Sequence, residues 1–131
     1  TLAVSDVPEA WNEKMRAYLG VQVPDDAHGC LQDIHWAHGC FGYFPTYALG
    51  NLYSAQLAEA AERALPGLWD DIRAGRFGAL LGWLRENVHR HGRRFQAAEI
   101  VEKATGAAPD AAPFIRYLET KYERLYALRL R

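Results

Sequence analysis

The sequence predicts a mainly α-helical domain of about six helices joined by one aromatic-rich connector. Three observations lead there. Apolar residues recur at helical rather than alternating spacing along most of the chain. Prolines and glycines bracket these periodic runs, as helix starts and stops do. At 131 residues, with 50% hydrophobic and 12% aromatic residues, the chain has the size of one domain and enough apolar surface for an ordered core.

The first helix is expected over Pro8–Leu19. Pro8 suits its opening turn, Gly20 stands just past its end, and Trp11, Met15, Tyr18 and Leu19 share one face. From Gly20 to Leu31 the chain carries Pro24, Asp25, Asp26 and Gly29 and reads as a loop. Gln32 to Trp36 is compatible with a very short strand, a run too short for pattern alone to assign. Pro45 opens a long helix that is expected to run to Leu65, where Pro66 stops it. Its stripe of Leu49, Leu52, Tyr53, Gln56, Leu57, Ala60 and Ala64 has the rhythm of a buried face, and the alanines let a neighbouring helix come close. Leu68, Trp69 and Ile72 mark a short helix ended near Gly75. Phe77, Leu80, Leu81, Leu84 and Val88 mark another, capped by Gly92. A further helix contains Ile100 and Val101 and stops at Thr105-Gly106. Asp110 is the expected N-cap of the last helix, which should bury Phe114, Leu118, Tyr122 and Leu125.

Net charge is −1, from 15 basic and 16 acidic residues, which gives no electrostatic reason to expect nucleic acid or an anionic membrane as partner. No apolar run approaches the roughly 20 residues that span a bilayer, and no signal-peptide pattern opens the chain. It begins at Thr1 with Met15 as its only methionine, so we expect sequence upstream. Two cysteines, Cys30 and Cys40, form no framework and fit a reduced, cytoplasmic protein better than a disulfide-stapled secreted one.

Chemistry concentrates in the connector. Gly29-Cys30-Leu31-Gln32-Asp33-Ile34-His35-Trp36 is followed by Gly39-Cys40-Phe41-Gly42-Tyr43-Phe44-Pro45-Thr46-Tyr47. Trp36, Phe41, Tyr43, Phe44 and Tyr47 must pack, so this is no solvated linker. We expect a buried wall with polar tips, where binding and catalytic groups gather on a rigid scaffold.

The first of these runs resembles the G-x-x-Q-D-x-H-W signature of the thermostable carboxypeptidase family, the carboxypeptidase Taq type (M32) of metallopeptidase. Gly42-Tyr43-Phe44-Pro45-Thr46-Tyr47 is similar to its G-Y-F-P-x-Y segment. Trp11-Asn12-Glu13-Lys14-Met15, Val88-His89 with Gly92, Thr105-Gly106 and Tyr117-Leu118-Glu119 agree as well, so the resemblance runs over essentially the whole chain. It implies a carboxypeptidase that removes residues from peptide C-termini. Metal-activated water would attack the scissile carbonyl with a glutamate as base. It also implies zinc or another divalent metal and a homodimer. In that family the metal sits on an H-E-x-x-H helix, where two histidines one turn apart share the ion. No H-E-x-x-H occurs here. Residues 1–131 are therefore expected to be the C-terminal helical part of the catalytic domain. The peptide's C-terminus and the N-terminal remainder of the enzyme are its partners, and the isolated chain should be inactive.

The resemblance implies catalytic roles for His35 and Tyr47, whose separation is like that of a histidine–tyrosine pair in related oligopeptidases. Preorganised donors of this kind stabilise a tetrahedral intermediate. The plain alternatives are a core histidine bonded to a backbone carbonyl and a packed tyrosine. Tyr43 and Gln32 are assigned to the substrate pocket. Asp33 is assigned to a supporting role, either fixing the connector through backbone N–H groups or bonding a metal-ligating histidine from the missing part. A turn role is the alternative for Gln32 and Asp33, and Trp36 reads as packing. His28, His38, His89 and His91 offer no pair at i, i+4 on a helix, so no metal ligands are assigned within the chain. Glu86, Arg90, Arg93 and Arg94 read as a solvated face. A different reading of the whole chain is a non-catalytic helical module for interaction or assembly.

Overall fold

A computed structural model describes residues 2–129. Among them are six α-helices and five short 3-10 helices, with no strand. The α-helices are α1 (Val7–Leu19), α2 (Pro45–Ala64), α3 (Leu68–Arg73), α4 (Gly78–Asn87), α5 (Ala97–Thr105) and α6 (Ala112–Tyr126). They fall into two compact units, one up to Pro45 and one from Thr46 onward.

In the first unit α1 carries Pro8 in its opening turn and ends at Gly20, which takes the left-handed conformation at φ 67°. The Gly20 N–H reaches the Arg16 carbonyl and the Val21 N–H the Met15 carbonyl, which satisfies the last turn. Trp11 and Met15 are half-buried, whereas Tyr18 and Leu19 on the same face are exposed.

The possible strand at Gln32–Trp36 is replaced by 3-10 helices at Cys30–Gln32 and Ile34–His38. The reason is local. The Asp33 carboxylate accepts the His35 N–H at 3.0 Å and caps the second turn. The Gln32 and Trp36 N–H groups close turns onto Gly29 and Asp33 carbonyls. Backbone groups satisfied within the segment need no partner strand. The preceding loop folds tightly against Gly29, where an added Cβ would stand 2.6 Å from Val23 Cγ1 and 3.0 Å from the Asp25 carbonyl oxygen.

In the second unit the α2 stripe is buried at its middle, at Gln56 and Ala60, together with Ala61, while Leu49 and Ala64 at its ends are exposed. Buried Leu68, Val101 and Pro113 bring α3, α5 and α6 into this core. α4 stops at Asn87, short of the expected Gly92, because Val88 leaves helical geometry (φ −126°, ψ −62°) and a 3-10 turn, His89–His91, follows. α5 opens with the Glu99 carboxylate receiving the Gln96 N–H at 2.7 Å, half of a capping box. At α6 the N-cap is Ala111 rather than Asp110, yet the Asp110 carboxylate still accepts the Ala112 N–H at 3.1 Å. Phe114 and Leu118 are half-buried as that helix's inner face, but Tyr122 and Leu125 are exposed, contrary to the periodic reading. Periodicity identifies a face and does not supply the surface that covers it.

Candidate active site

The connector sets its polar groups on the capped 3-10 turns. Asp33, only 6% exposed, directs one carboxylate oxygen at two nitrogens of the same histidine: the His35 backbone N–H at 3.0 Å and the ring Nδ1 at 2.7 Å. A ring nitrogen facing a carboxylate oxygen at this distance makes a strong, charge-assisted hydrogen bond. The His35 ring is half-buried. It lies 5.0 Å from the Tyr43 ring, tilted by 32°, and meets the Phe44 ring edge-on at 5.6 Å. Asp33, Tyr43 and Phe44 of the predicted connector thus converge on one imidazole.

Around them Trp36 packs edge-on against Trp11 at 6.3 Å and stacks on Phe41 at 5.7 Å, as its packing assignment requires. Gln32 donates from its amide to the Ala27 carbonyl and pins the loop in front of the site. Tyr47 stands in the first turn of α2 and is 54% exposed. The expected buried wall is only partly so. Asp33 and Cys30 are buried, but Tyr43, Phe44 and Phe41 are exposed, because the rings pair with one another while their outer faces meet solvent. Both cysteines are free thiols.

One pairing in this loop was missed by the sequence reading. Asp25 accepts the His28 backbone N–H at 2.9 Å and faces its Nδ1 at 2.7 Å, the same device as Asp33–His35. The His28 ring first, and its backbone N–H second, hold the Asp25 carboxyl below its ordinary value. The available signal was an aspartate at a turn start with a histidine just beyond, the spacing at which an Asp side chain bonds downstream N–H groups.

In the second unit Gln56 is fully engaged. Its amide donates to Thr105 Oγ1 and to the Ala107 and Ala108 carbonyls, and its oxygen accepts the Asp110 N–H at 3.0 Å. Arg116 grips Glu59 with both arms at 2.8–3.1 Å, and that carboxylate raises the already high guanidinium pKa. Arg90 pairs with Glu86, while Arg94 and Lys103 lie over the Phe95 ring at 5.6 and 4.5 Å. Among the described residues no group of three or more His, Cys, Asp or Glu side chains is placed to hold a metal ion.

Residues 1–122 match the profile of the family described as carboxypeptidase Taq (M32) metallopeptidase. The chain is 50% identical over 125 residues to thermostable carboxypeptidase 1 of Thermus thermophilus, covering 95% of this chain and 24% of that protein. Carboxypeptidase 1 of Bacillus subtilis is 44% identical over 127 residues, covering 97% of this chain and 25% of its own length. The crystal structure of an M32 carboxypeptidase from Deinococcus radiodurans R1 matches with a TM-score of 0.88 at 48% identity, covering 97% of this chain and 26% of that one. The chain thus spans about a quarter of the length of the relatives it matches.

Proposed function

Because the chain belongs to the carboxypeptidase Taq (M32) metallopeptidase family, we propose that it is the C-terminal helical part of a metal-dependent carboxypeptidase that releases residues from peptide C-termini. The observation that supports this reading is the convergence of Asp33, Tyr43 and Phe44 on the His35 imidazole at an exposed surface. A ring so held is preorganised, and a preorganised donor stabilises developing charge without a reorganisation cost at the moment of reaction.

In this proposal His35 and Tyr47 donate hydrogen bonds to the oxygen of the tetrahedral intermediate. Tyr43 and Gln32 shape the pocket for the substrate, and Asp33 supports His35. The described residues of this chain present no cluster of His, Cys, Asp or Glu fit for a metal centre. The zinc or other divalent ion is therefore assigned to the remainder of the enzyme, along with the general base. The remaining partners are the peptide C-terminus and, in a homodimer, a second copy. No helix among the described residues is long and apolar enough to cross a membrane, and we place the enzyme in the cytoplasm.

The test compares the 131-residue chain with the full-length enzyme that carries it, in an assay of C-terminal residue release from peptides. Release by the full-length protein only, abolished or strongly reduced by His35→Ala, is the expected result. No release by the full-length protein with metal supplied would leave this chain as a helical assembly module.

A further inference from the structure

Asp33 is the one buried carboxylate in the described connector, and both of its hydrogen bonds to His35 use the same oxygen. An ionised carboxylate only accepts hydrogen bonds. A ring nitrogen 2.7 Å away must then carry a proton, since two lone pairs at that distance would repel. The backbone bond to His35 N–H fixes the carboxylate in turn, so the oxygen cannot swing away from the ring without uncapping the 3-10 turn.

We propose that Asp33 is a positioning residue that locks His35 in its Nδ1–H form and assigns Nε2 as the nitrogen that meets the substrate. The working role of Nε2 rests on the carboxypeptidase reading above; the lock itself does not. In the neutral locked ring Nε2 bears a lone pair and accepts. Donation from Nε2 to a carbonyl oxygen or an oxyanion therefore requires a ring that carries a proton on both nitrogens. The Tyr43 ring at 5.0 Å and the Phe44 ring at 5.6 Å also pack on the imidazole, as neutral aromatic neighbours. The pair Asp33–His35 thus acts as one unit: carboxylate, oriented ring, and a donor whose direction is fixed by a buried cap.

The chain with 15N-labelled histidine reports the lock directly in two-bond 1H–15N correlation spectra. The expected His35 pattern, once the ring is neutral, is a protonated Nδ1 and an unprotonated Nε2. In Asp33→Ala the preference is expected to shift to the Nε2–H form. A wild-type His35 that is mainly Nε2–H overturns the proposal, as does an unchanged pattern in an Asp33→Ala variant that keeps its helical circular dichroism. If that variant does not fold, the wild-type spectrum alone decides. In the full-length enzyme, Asp33→Asn is expected to lower kcat when His35 is present and to add little in a His35→Ala background. Equal losses in both backgrounds would make Asp33 a structural cap only. An inactive full-length protein with an intact Nδ1–H signature would sink the carboxypeptidase reading and leave the lock standing.

Discussion

Single atoms carry the sharpest tests of this site. Tyr47→Phe removes only a hydroxyl from the first turn of α2, where the ring remains to pack. If that hydroxyl is an oxyanion donor, kcat and kcat/KM of the full-length enzyme fall together by about 100–1000-fold, roughly 3 kcal/mol, with KM little changed. If His35 donates to the bound peptide as well as to the intermediate, His35→Ala is expected to lower kcat and also to raise KM. Should Tyr43→Phe collapse turnover while Tyr47→Phe does not, the donor role passes to Tyr43. Asp25 gives a pH-linked test within the chain itself. Its folded pKa is depressed by His28, so the stability it contributes is present above the ordinary carboxyl value of 3.8 and is lost as pH falls through the lower folded value. A carbon-detected titration should find the Asp25 midpoint below 3.8 in the wild type and shifted upward in His28→Ala. An unchanged midpoint would mean that the His28 ring does not act on this carboxyl.

Elements hold those atoms in place through two devices of different kinds. In the connector it is close approach. Gly29→Ala forces a Cβ to 2.6 Å from Val23 Cγ1 and 3.0 Å from a backbone oxygen. Overpacking of this sort typically costs about 1–3 kcal/mol. The loop before Cys30–Gln32 must open to relieve it, so urea unfolding should show a lower midpoint and the His35 ring signals should shift with it. In the second unit the device is a buried amide. Gln56→Leu removes the partner of two carbonyls, a hydroxyl and the Asp110 N–H at the junction between α5 and α6. These hydrogen bonds are part-buried, so each group left unsatisfied costs at most about 1–3 kcal/mol, and the variant is expected to unfold earlier and to exchange the amide of Asp110 faster. Protection there equal to wild type would show that solvent replaces the amide without cost.

Across the whole molecule, large apolar side chains stand in solvent in both units: Leu31, Ile34 and Phe41 in the first, Phe77, Leu125 and Tyr126 in the second. Exposed apolar patches beyond a few hundred Å² usually mark an interface or an aggregation liability. The chain by itself should therefore self-associate with rising concentration in sedimentation. A strict monomer over a wide range would count against the view that a larger body covers these faces. Zinc calorimetry should find nothing tighter than micromolar, in keeping with the lack of a clustered ligand set among the described residues. Helix number, most boundaries and the family motif were legible in sequence, because apolar spacing, proline and glycine act over a few residues. The same local rules went astray where a run was short: Gln32–Trp36 became 3-10 turns once the Asp33 side chain took the backbone donors. Burial at Leu49, Tyr122 and Leu125 was misjudged because period names a face while only packing partners decide whether water reaches it. The Asp33–His35 and Asp25–His28 pairs needed coordinates as well, since a hydrogen bond depends on ångström-scale direction that spacing along a chain does not carry.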